Sequence, residues 1–339
     1  MLHFVPDFAY FEPNALEYPI GQDIYKKMIK LGVPISYTTS HNRITGIPGK
    51  SPNEIYKNAK KTLVVGVRKT LEFDTSKPSA DYALPLSTGC MGHCHYCYLQ
   101  TTLGARPYIR VYVNIDEILA SAKKYMDEGS PHITTFEAAC TSDPLSTEYI
   151  TGNLGRTITF VGNEPLGRLR FVSKYDDVRS LLVLPHRKHT HVRFSLNSEY
   201  VVRQFEPSTA KLEARMTAAK LILQAGYQTG FIIAPIIRYE GWQEGYQQLF
   251  VALSHYIEKD APVTFELIQH RFTNVAKKYI LERYPKTKLD LDESTRKYKR
   301  GKYGRGKWVY QPPEANEIDQ QLRQLIDTHF KSATIEYFT

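Results

Sequence analysis

Cysteine is scarce in this chain, with only four among its 339 residues. Three of the four lie within eight residues, so we expect them to be ligands and not members of a disulfide framework. The chain also lacks any apolar run near the ~20 residues that a membrane-spanning helix requires. Its first residues show neither the basic start nor the apolar stretch of a signal peptide. These absences predict a cytoplasmic protein with no membrane partner.

The clustered cysteines are Cys90, Cys94 and Cys97, in a C-x3-C-x2-C spacing. Three thiolates can hold three irons of a 4Fe-4S cluster, which leaves one iron open for a substrate. His93 and His95 in the same loop leave a mixed zinc site open as an alternative, although adjacent residues converge poorly on one tetrahedral ion. Buried thiols without any ligand are the third interpretation.

Strand-like apolar runs alternate with amphipathic stretches from about residue 82 onward, which predicts an α/β fold with a parallel sheet and right-handed crossovers. The predicted strands are 82–85, 133–139, 169–173, 192–196, 230–236 and 263–268. The predicted helices include 115–128, 209–225, 242–258 and 314–330. We divide the chain into a small N-terminal α/β unit with its linker at 1–80, a main unit at 81–285 and a C-terminal segment at 286–339.

Positive charge is in excess and is concentrated near the C-terminus. The formal net charge is +9, which favours an anionic partner such as nucleic acid. Residues 296–310 carry seven Lys or Arg and four aromatic residues without any acid, and their glycines predict a turn between two short strands. In this basic β-hairpin, Arg300, Lys302, Tyr303 and Arg305 are predicted to contact DNA phosphates and bases. A solvated charged loop is the alternative.

Polar residues follow three of the predicted strands. They are Cys140, Ser142 and Asp143 after the second strand, Lys174 at the end of the third, and Ser195 and Asn197 at the end of the fourth. Functional groups of βα barrels lie at the carboxyl ends of strands, so we expect these side chains to converge on one rim. For each of them the alternative is a strand-end residue that bonds its own loop.

Two runs resemble a known family. The run STGCMGHCHYCYLQTTLG at 87–104 and the run EAACTSD at 137–143 resemble those of the spore photoproduct lyases, within the radical S-adenosylmethionine superfamily. The resemblance covers most of the chain. It implies a partial (β/α)6 barrel, a 4Fe-4S cluster on the three cysteines, and S-adenosyl-L-methionine (SAM) at the open iron. One electron from an external donor would then release a 5′-deoxyadenosyl radical.

The resemblance also implies roles for the strand-end residues. Lys174 would pair with the methionine carboxylate of SAM, Ser142 and Ser195 would bond that group or the ribose, Asp143 would accept from ribose hydroxyls, and Asn197 belongs to the same site. Many superfamily members carry Gly-Gly-Glu after the second strand to bind the amine. Here Ala-Ala-Cys-Thr-Ser-Asp occupies that region, and backbone carbonyls near Ala138 are expected to replace the missing group.

The implied activity is that of a carbon–carbon lyase that repairs ultraviolet-damaged DNA in the spore core. The radical would remove hydrogen from ring C6 of 5-thyminyl-5,6-dihydrothymine, and the methylene bridge would then break. Cys140 would give hydrogen to the resulting thymine radical, and Tyr96 and Tyr98 would relay the radical from its sulfur; packing is the alternative for all three. A radical enzyme that acts on RNA or protein, and a zinc-containing nucleic-acid-binding module, stay open as other functions.

Overall fold

The computed structural model describes residues 3–104, 107–300 and 306–339. Its strands are β1 (Phe8–Phe11), β2 (Ile35–Tyr37), β3 (Thr62–Gly66), β4 (Tyr82–Leu84), β5 (Ser87–Thr88), β6 (Ile109–Tyr112), β7 (Thr134–Ala138), β8 (Gly167–Ser173), β9 (Thr190–Leu196), β10 (Gln228–Ile236), β11 (Val263–Gln269), β12 (Arg296–Arg300), β13 (Gly306–Tyr310) and β14 (Thr334–Phe338). Its α-helices are α1 (Pro19–Lys30), α2 (Pro52–Ala59), α3 (Leu99–Thr102), α4 (Ile115–Glu128), α5 (Pro144–Thr151), α6 (Asn153–Asn163), α7 (Glu199–Phe205), α8 (Leu212–Gln224), α9 (Trp242–Ser254), α10 (Asn274–Arg283) and α11 (Pro312–His329).

The larger sheet has seven strands in the order β4-β7-β8-β9-β10-β11-β14, and every pair in it is parallel. Six of these strands, β4 and β7 to β11, lie in the sheet in chain order, and α-helices occur in every connection between them except the one from β8 to β9. All six agree with the predicted strands to within two residues. The α/β prediction is therefore confirmed, whereas β14 was not predicted.

The two faces of this sheet differ in chemistry because side chains alternate along a strand. Phe136, Phe171, Phe194 and Phe265 are fully buried in the main apolar core. Their strand neighbours Glu137, Arg170, Arg193 and Glu266 lie on the opposite face and bond one another there. The sheet thus has one apolar face, which packs in the core, and one polar face.

The smaller sheet has the order β2-β1-β3-β6-β5, in which only the β5–β6 pair is antiparallel. Helix α1 buries Ile20, Ile24 and Met28 in the same core as the first strand. Two strands of this sheet, β5 and β6, lie beyond residue 80, so the sheet and the predicted unit 1–80 do not coincide. Because β5 ends two residues before Cys90, the smaller sheet sets where the cysteine loop begins.

Strands β12 and β13 form an antiparallel pair in the C-terminal segment, with Arg296 opposite Tyr310 and Arg300 opposite Gly306. Phe272, just after β11, exchanges two backbone hydrogen bonds with Trp308, at 3.1 and 2.7 Å. The pair is therefore attached where the larger sheet presents the carboxyl ends of its strands. The predicted contacts Lys302, Tyr303 and Arg305 lie outside the described residues. Among the described helices, none has the length and apolarity that a membrane crossing demands.

Candidate active site

Backbone hydrogen bonds connect the cysteine loop, residues 89–98, to two other segments of the chain. His93 N donates to Pro207 O at 2.8 Å and His95 N donates to Phe205 O at 2.9 Å. Near its start, Gly89 N donates to Thr141 O at 2.8 Å. The loop is thereby fixed to the segment after α7 and to the segment after β7.

A buried lysine lies against the cysteine loop. The Lys60 side chain donates to the carbonyl oxygens of Cys90 at 2.6 Å and Gly92 at 2.5 Å, and the residue is 2% exposed. Burial of a charge is costly unless the charge is compensated. A positive charge at this place favours negative charge on the loop, such as thiolates or an anionic cluster. No sequence pattern distinguishes Lys60 from its neighbours Lys57 and Lys61, so sequence reasoning missed it.

The donor set of the cysteine loop, three thiols, is of the kind that holds an iron–sulfur cluster. Among the described residues, no three His, Cys, Asp or Glu side chains are placed to hold one metal ion. The thiolates of a cluster bind three different irons, so they need not converge on one point. His95 is committed elsewhere, since its Nδ1 lies 2.9 Å from Thr287 Oγ1 and its ring stacks on Tyr284. Burial raises the pKa of the Cys90 and Cys94 thiols, and metal binding would compensate their deprotonation.

Cys140 lies in the turn after β7, where Ala139 adopts a left-handed conformation with φ +52°. Its sulfur is 3.3 Å from Ser76 Oγ, and its thiol donates to the Glu137 carbonyl oxygen at 3.6 Å. Burial raises the pKa of the Cys140 thiol, so the sulfur keeps its proton at neutral pH. The Tyr98 hydroxyl donates to the Cys140 carbonyl oxygen and so connects this turn to the cysteine loop.

Tyr96 has different neighbours from Tyr98. Its hydroxyl donates to the Glu206 carboxylate, and Glu206 Oε2 is 2.6 Å from a nitrogen of the fully buried Arg215. The Lys174 ammonium lies 5.8 Å from the centre of the Tyr96 ring. The structure thus groups Tyr98 with Cys140, and Tyr96 with the Glu206–Arg215 ion pair. Sequence reasoning missed that pair, whose members are nine residues apart without any motif.

Lys174 and Ser195 are brought together, as the strand-end prediction requires. Lys174 Nζ donates to Ser195 Oγ at 2.7 Å. Lys174 is half-buried, and within the described part of the chain no carboxylate lies at ion-pair distance from its ammonium. The Lys174 charge is therefore free to pair with an anionic group of a ligand.

Asp143 and Asn197 are occupied by contacts within the protein. Asp143 accepts from Ser173 Oγ and from Lys174 N, each at 2.8 Å, and burial raises the pKa of its carboxyl to about 6. Asn197 donates to Pro235 O at 2.7 Å and accepts from Tyr246 Oη at 2.7 Å. Such contacts within the protein are what the alternative interpretation expects, in which a strand-end residue bonds its own loop and not a ligand.

Ser142 and Ala138 lie at the same strand end. The Ser142 hydroxyl donates to Gly89 O and so joins the turn after β7 to the cysteine loop. Ala138 is the last residue of β7 and is 2% exposed. Their assignments to SAM, like those of Asp143 and Asn197, stay predictions.

Cations are crowded on the strand pair β12–β13. Lys299 lies directly opposite Lys307 in the antiparallel register. Burial, Arg271 and Lys299 lower the pKa of the Lys307 ammonium. Like charges directly opposite each other destabilise a strand pair, so a polyanion on this surface would relieve the repulsion. Tyr298 and Trp308, with ring centres 5.0 Å apart, add an aromatic surface beside these cations.

Comparisons with known proteins match nearly the whole chain to one family. The family model described as "Spore photoproduct lyase" matches residues 4–339. A spore photoproduct lyase of Geobacillus sp. (strain Y412MC61) is 56% identical over 100% of both chains, and that of Bacillus subtilis (strain 168) is 54% identical over 99% of both.

Solved structures are similar as well. A spore photoproduct lyase complexed with dinucleoside spore photoproduct has 55% identity, covers 99% of both chains and gives a TM-score of 0.96. A double mutant of a spore photoproduct lyase with bound AdoMet and dinucleoside spore photoproduct has 54% identity, the same coverage and a TM-score of 0.96.

Proposed function

This chain belongs to the spore photoproduct lyase family, and we propose that it is a radical SAM lyase that reverses spore photoproduct in DNA to two thymines. The observation that carries the proposal is the direct connection between the cysteine loop and the Cys140 turn. Tyr98, Gly89 and Ser142 make three hydrogen bonds between these two segments. A hydrogen-atom donor is therefore held beside the loop on which a radical would be generated.

Cys90, Cys94 and Cys97 would hold a 4Fe-4S cluster, with SAM at the iron that lacks a cysteine. Together they supply one chemical step, the reductive release of a 5′-deoxyadenosyl radical after one electron from an external donor. Lys60 supports the site electrostatically, because its buried charge faces the carbonyl oxygens of the loop. Lys174 would bind the methionine carboxylate of SAM, since its ammonium is held by Ser195 and has no carboxylate partner in the described chain.

Cys140 would complete the repair by giving hydrogen to the thymine radical. A thiol can do this only while it carries its hydrogen, and burial keeps the pKa of Cys140 raised. Tyr98 would take the radical from Cys140, and the hydrogen bond from its hydroxyl to the backbone of that residue supports this role. Tyr96 is farther along the proposed relay and contacts Glu206 instead. The relay itself stays part of the proposal.

The substrate would be ultraviolet-damaged DNA, bound in part by the cations and aromatic rings of β12 and β13. A lesion inside a duplex must leave the base stack before it can enter a protein site, at a cost of a few kcal/mol. Phosphate contacts from Lys299, Arg300 and Lys307 would hold the distorted duplex at the carboxyl edge of the larger sheet. The partial (β/α)6 barrel, the basic β-hairpin and a location in the cytoplasm of the spore core belong to the same proposal.

The test is product analysis under anaerobic conditions. Protein reconstituted with iron and sulfide is given SAM, dithionite and DNA that contains spore photoproduct. We expect the lesion to be converted to thymine only when SAM and reductant are both present. The matched control is Cys94→Ala, which removes one cluster ligand. Cleavage of SAM without any loss of the lesion would contradict the proposed substrate.

A further inference from the structure

The thiol of Cys140 is held between two segments of the chain. Its sulfur is 3.3 Å from Ser76 Oγ in the segment that precedes β4. The thiol also donates to the backbone oxygen of Glu137, near the end of β7, at 3.6 Å. The orientation of the S–H group therefore depends on how these two segments are held relative to each other.

One set of polar contacts, buried at Arg193 and partly buried at Ser79, joins the same two segments. Arg193 donates to both carboxylate oxygens of Glu137. Ser79, three residues after Ser76, donates to Glu137 Oε2 at 2.7 Å and lies 3.2 Å from Arg193 Nη1. Its carbonyl oxygen accepts from Arg170 Nη1 at 3.1 Å. Ser79 thus connects the segment that contains Ser76 to the side chains of Glu137 and Arg193, while Glu137 is itself one of the two partners of the thiol.

The centre of these contacts is an arginine that bonds two carboxylates. Arg193 is 2% exposed, and its Nη1 donates to Glu266 Oε1 at 2.6 Å. Arg170 Nη2 donates to the same oxygen at 2.9 Å. Buried charges that are paired and hydrogen-bonded from several strands have few alternative arrangements, because breaking one pair leaves an uncompensated charge. We call Ser79, Glu137, Arg193 and Glu266 the polar network; all but the half-buried Ser79 are buried.

We propose that Arg193 and Glu137, acting through Ser79, are positioning residues that keep the Cys140 thiol in one orientation between Ser76 and the Glu137 carbonyl. This inference rests on the proposed function, in which Cys140 is the hydrogen donor. In that step the S–H bond breaks homolytically, a C–H bond forms on the substrate radical, and the unpaired electron passes to sulfur. A thiol that turns away leaves the substrate radical to react with other partners.

The first test is Ser79→Ala, which removes one hydroxyl and leaves every charge of the network in place. We expect SAM cleavage by the reconstituted variant to stay within twofold of the unmodified protein. We expect thymine recovery to fall several-fold while other lesion-derived products increase. Ser79→Thr keeps the hydroxyl and should restore clean repair. Ser254→Ala, which deletes a serine hydroxyl bonded only within its own helix, is the matched control and should change nothing.

The second test needs no lesion and therefore separates this inference from the proposed function. In the cluster-loaded protein the ligating thiols are protected, so anaerobic iodoacetamide reports on Cys140. We expect Ser79→Ala and Arg193→Lys to raise the alkylation rate of Cys140 several-fold and to shift its pH profile to lower pH. A freed thiol is better solvated, and the pKa that burial raises should then fall.

Two outcomes would overturn the inference. One is an unchanged Cys140 alkylation profile and product ratio in folded Ser79→Ala and Arg193→Lys proteins. The other is a parallel loss of SAM cleavage and repair at a constant product ratio, which is the result of a purely structural role. If the unmodified protein repairs no lesion, the proposed function fails, and the alkylation measurement still decides whether the network positions Cys140.

Discussion

The Tyr98 hydroxyl donates a hydrogen bond to the backbone carbonyl of Cys140, 42 residues away in the chain. Tyr98 directly follows the last cysteine of the loop, and Cys140 follows the second strand of the larger sheet. The contact joins the proposed source of a radical to the proposed donor of hydrogen.

The cysteine loop should bind one cluster. Anaerobic reconstitution of the unmodified protein should give about four irons per chain, measured by iron and sulfide analysis and by the visible absorption of the cluster. Cys94→Ala should lose most of that iron because one thiolate is missing. Cys140→Ala is the matched control, since its thiol is outside the loop, and should bind iron normally. Stoichiometric zinc in anaerobically purified protein would contradict this assignment.

Cys140 should determine the identity of the product. Cys140→Ala should bind the cluster, cleave SAM and abstract the substrate hydrogen, but clean thymine should give way to adducts of the trapped radical. Chromatography and mass spectrometry of the digested DNA measure this directly. Cys140→Ser is a size-matched control that should behave like alanine, because an O–H bond is too strong to donate readily. Clean repair by either loaded variant would show that the hydrogen comes from another group.

The strand pair β12–β13 should contribute phosphate contacts. Changing Lys299, Arg300 and Lys307 together to glutamine should weaken binding to duplex DNA. Each lost phosphate contact should also reduce the slope of log K against log salt by roughly 0.9. Fluorescence anisotropy across a salt series measures both quantities.

The control variant for this experiment also removes three positive charges, but at positions away from β12 and β13. Lys124, Lys220 and Lys331 are exposed and lie outside β12 and β13. Their joint change to glutamine should leave the slope nearly as it is, apart from the small effect of net charge. Equal slopes for the two triple variants would show that β12 and β13 make no phosphate contacts.

The Glu206–Arg215 ion pair should be important for stability. Arg215→Met leaves the Glu206 carboxylate buried without its partner, and the free energy of unfolding should fall by about 3–5 kcal/mol. Urea denaturation of the protein without its cluster measures the loss. Arg323→Met breaks a more exposed pair with Asp319 and should cost only about 0–1 kcal/mol. If the two variants lose equal unfolding free energy, burial of the Glu206–Arg215 pair does not make it more important than the exposed pair.

Asp143 should make stability fall as pH rises. Burial raises the pKa of its carboxyl to about 6, whereas an unfolded aspartate titrates near 3.9. Between these two pKa values the folded protein binds one more proton than the unfolded chain. The stability that this proton contributes is fully present below about pH 4 and is lost as the pH rises through 6.

Asp143→Asn does not titrate and provides the comparison. Relative to this variant, the unmodified protein should lose on the order of 2 kcal/mol of unfolding free energy between pH 4 and 7. Urea titrations at several pH values, without the cluster, measure the difference. A difference that stays constant over this range would contradict the raised pKa.

Hydrophobic periodicity predicted the larger sheet well and the smaller sheet poorly. The six predicted strands carry β-branched or aromatic residues that are buried in the core. They lie side by side in chain order, although β5 and β6 of the smaller sheet intervene between β4 and β7 in the sequence. The short strands β5 and β6 are only two and four residues long, and β14 joins the sheet beside β11 from the far end of the chain. Their positions depend on long-range pairing, which no local pattern contains. Helix α8 begins at Leu212, later than the predicted 209, because Lys211 is extended.

The sequence by itself was enough to predict the chemistry, because the type and spacing of the thiols of Cys90, Cys94 and Cys97 are local features of eight residues. The alternation of strands and helices likewise determined the fold class. Only the tertiary structure decided that Tyr98 and not Tyr96 contacts Cys140, that Asp143 and Asn197 bond their own surroundings, and that Lys60 lies under the cysteine loop. The physical reason is that hydrogen bonds between distant segments follow from packing, which here brings together residues that are 30 to 42 positions apart.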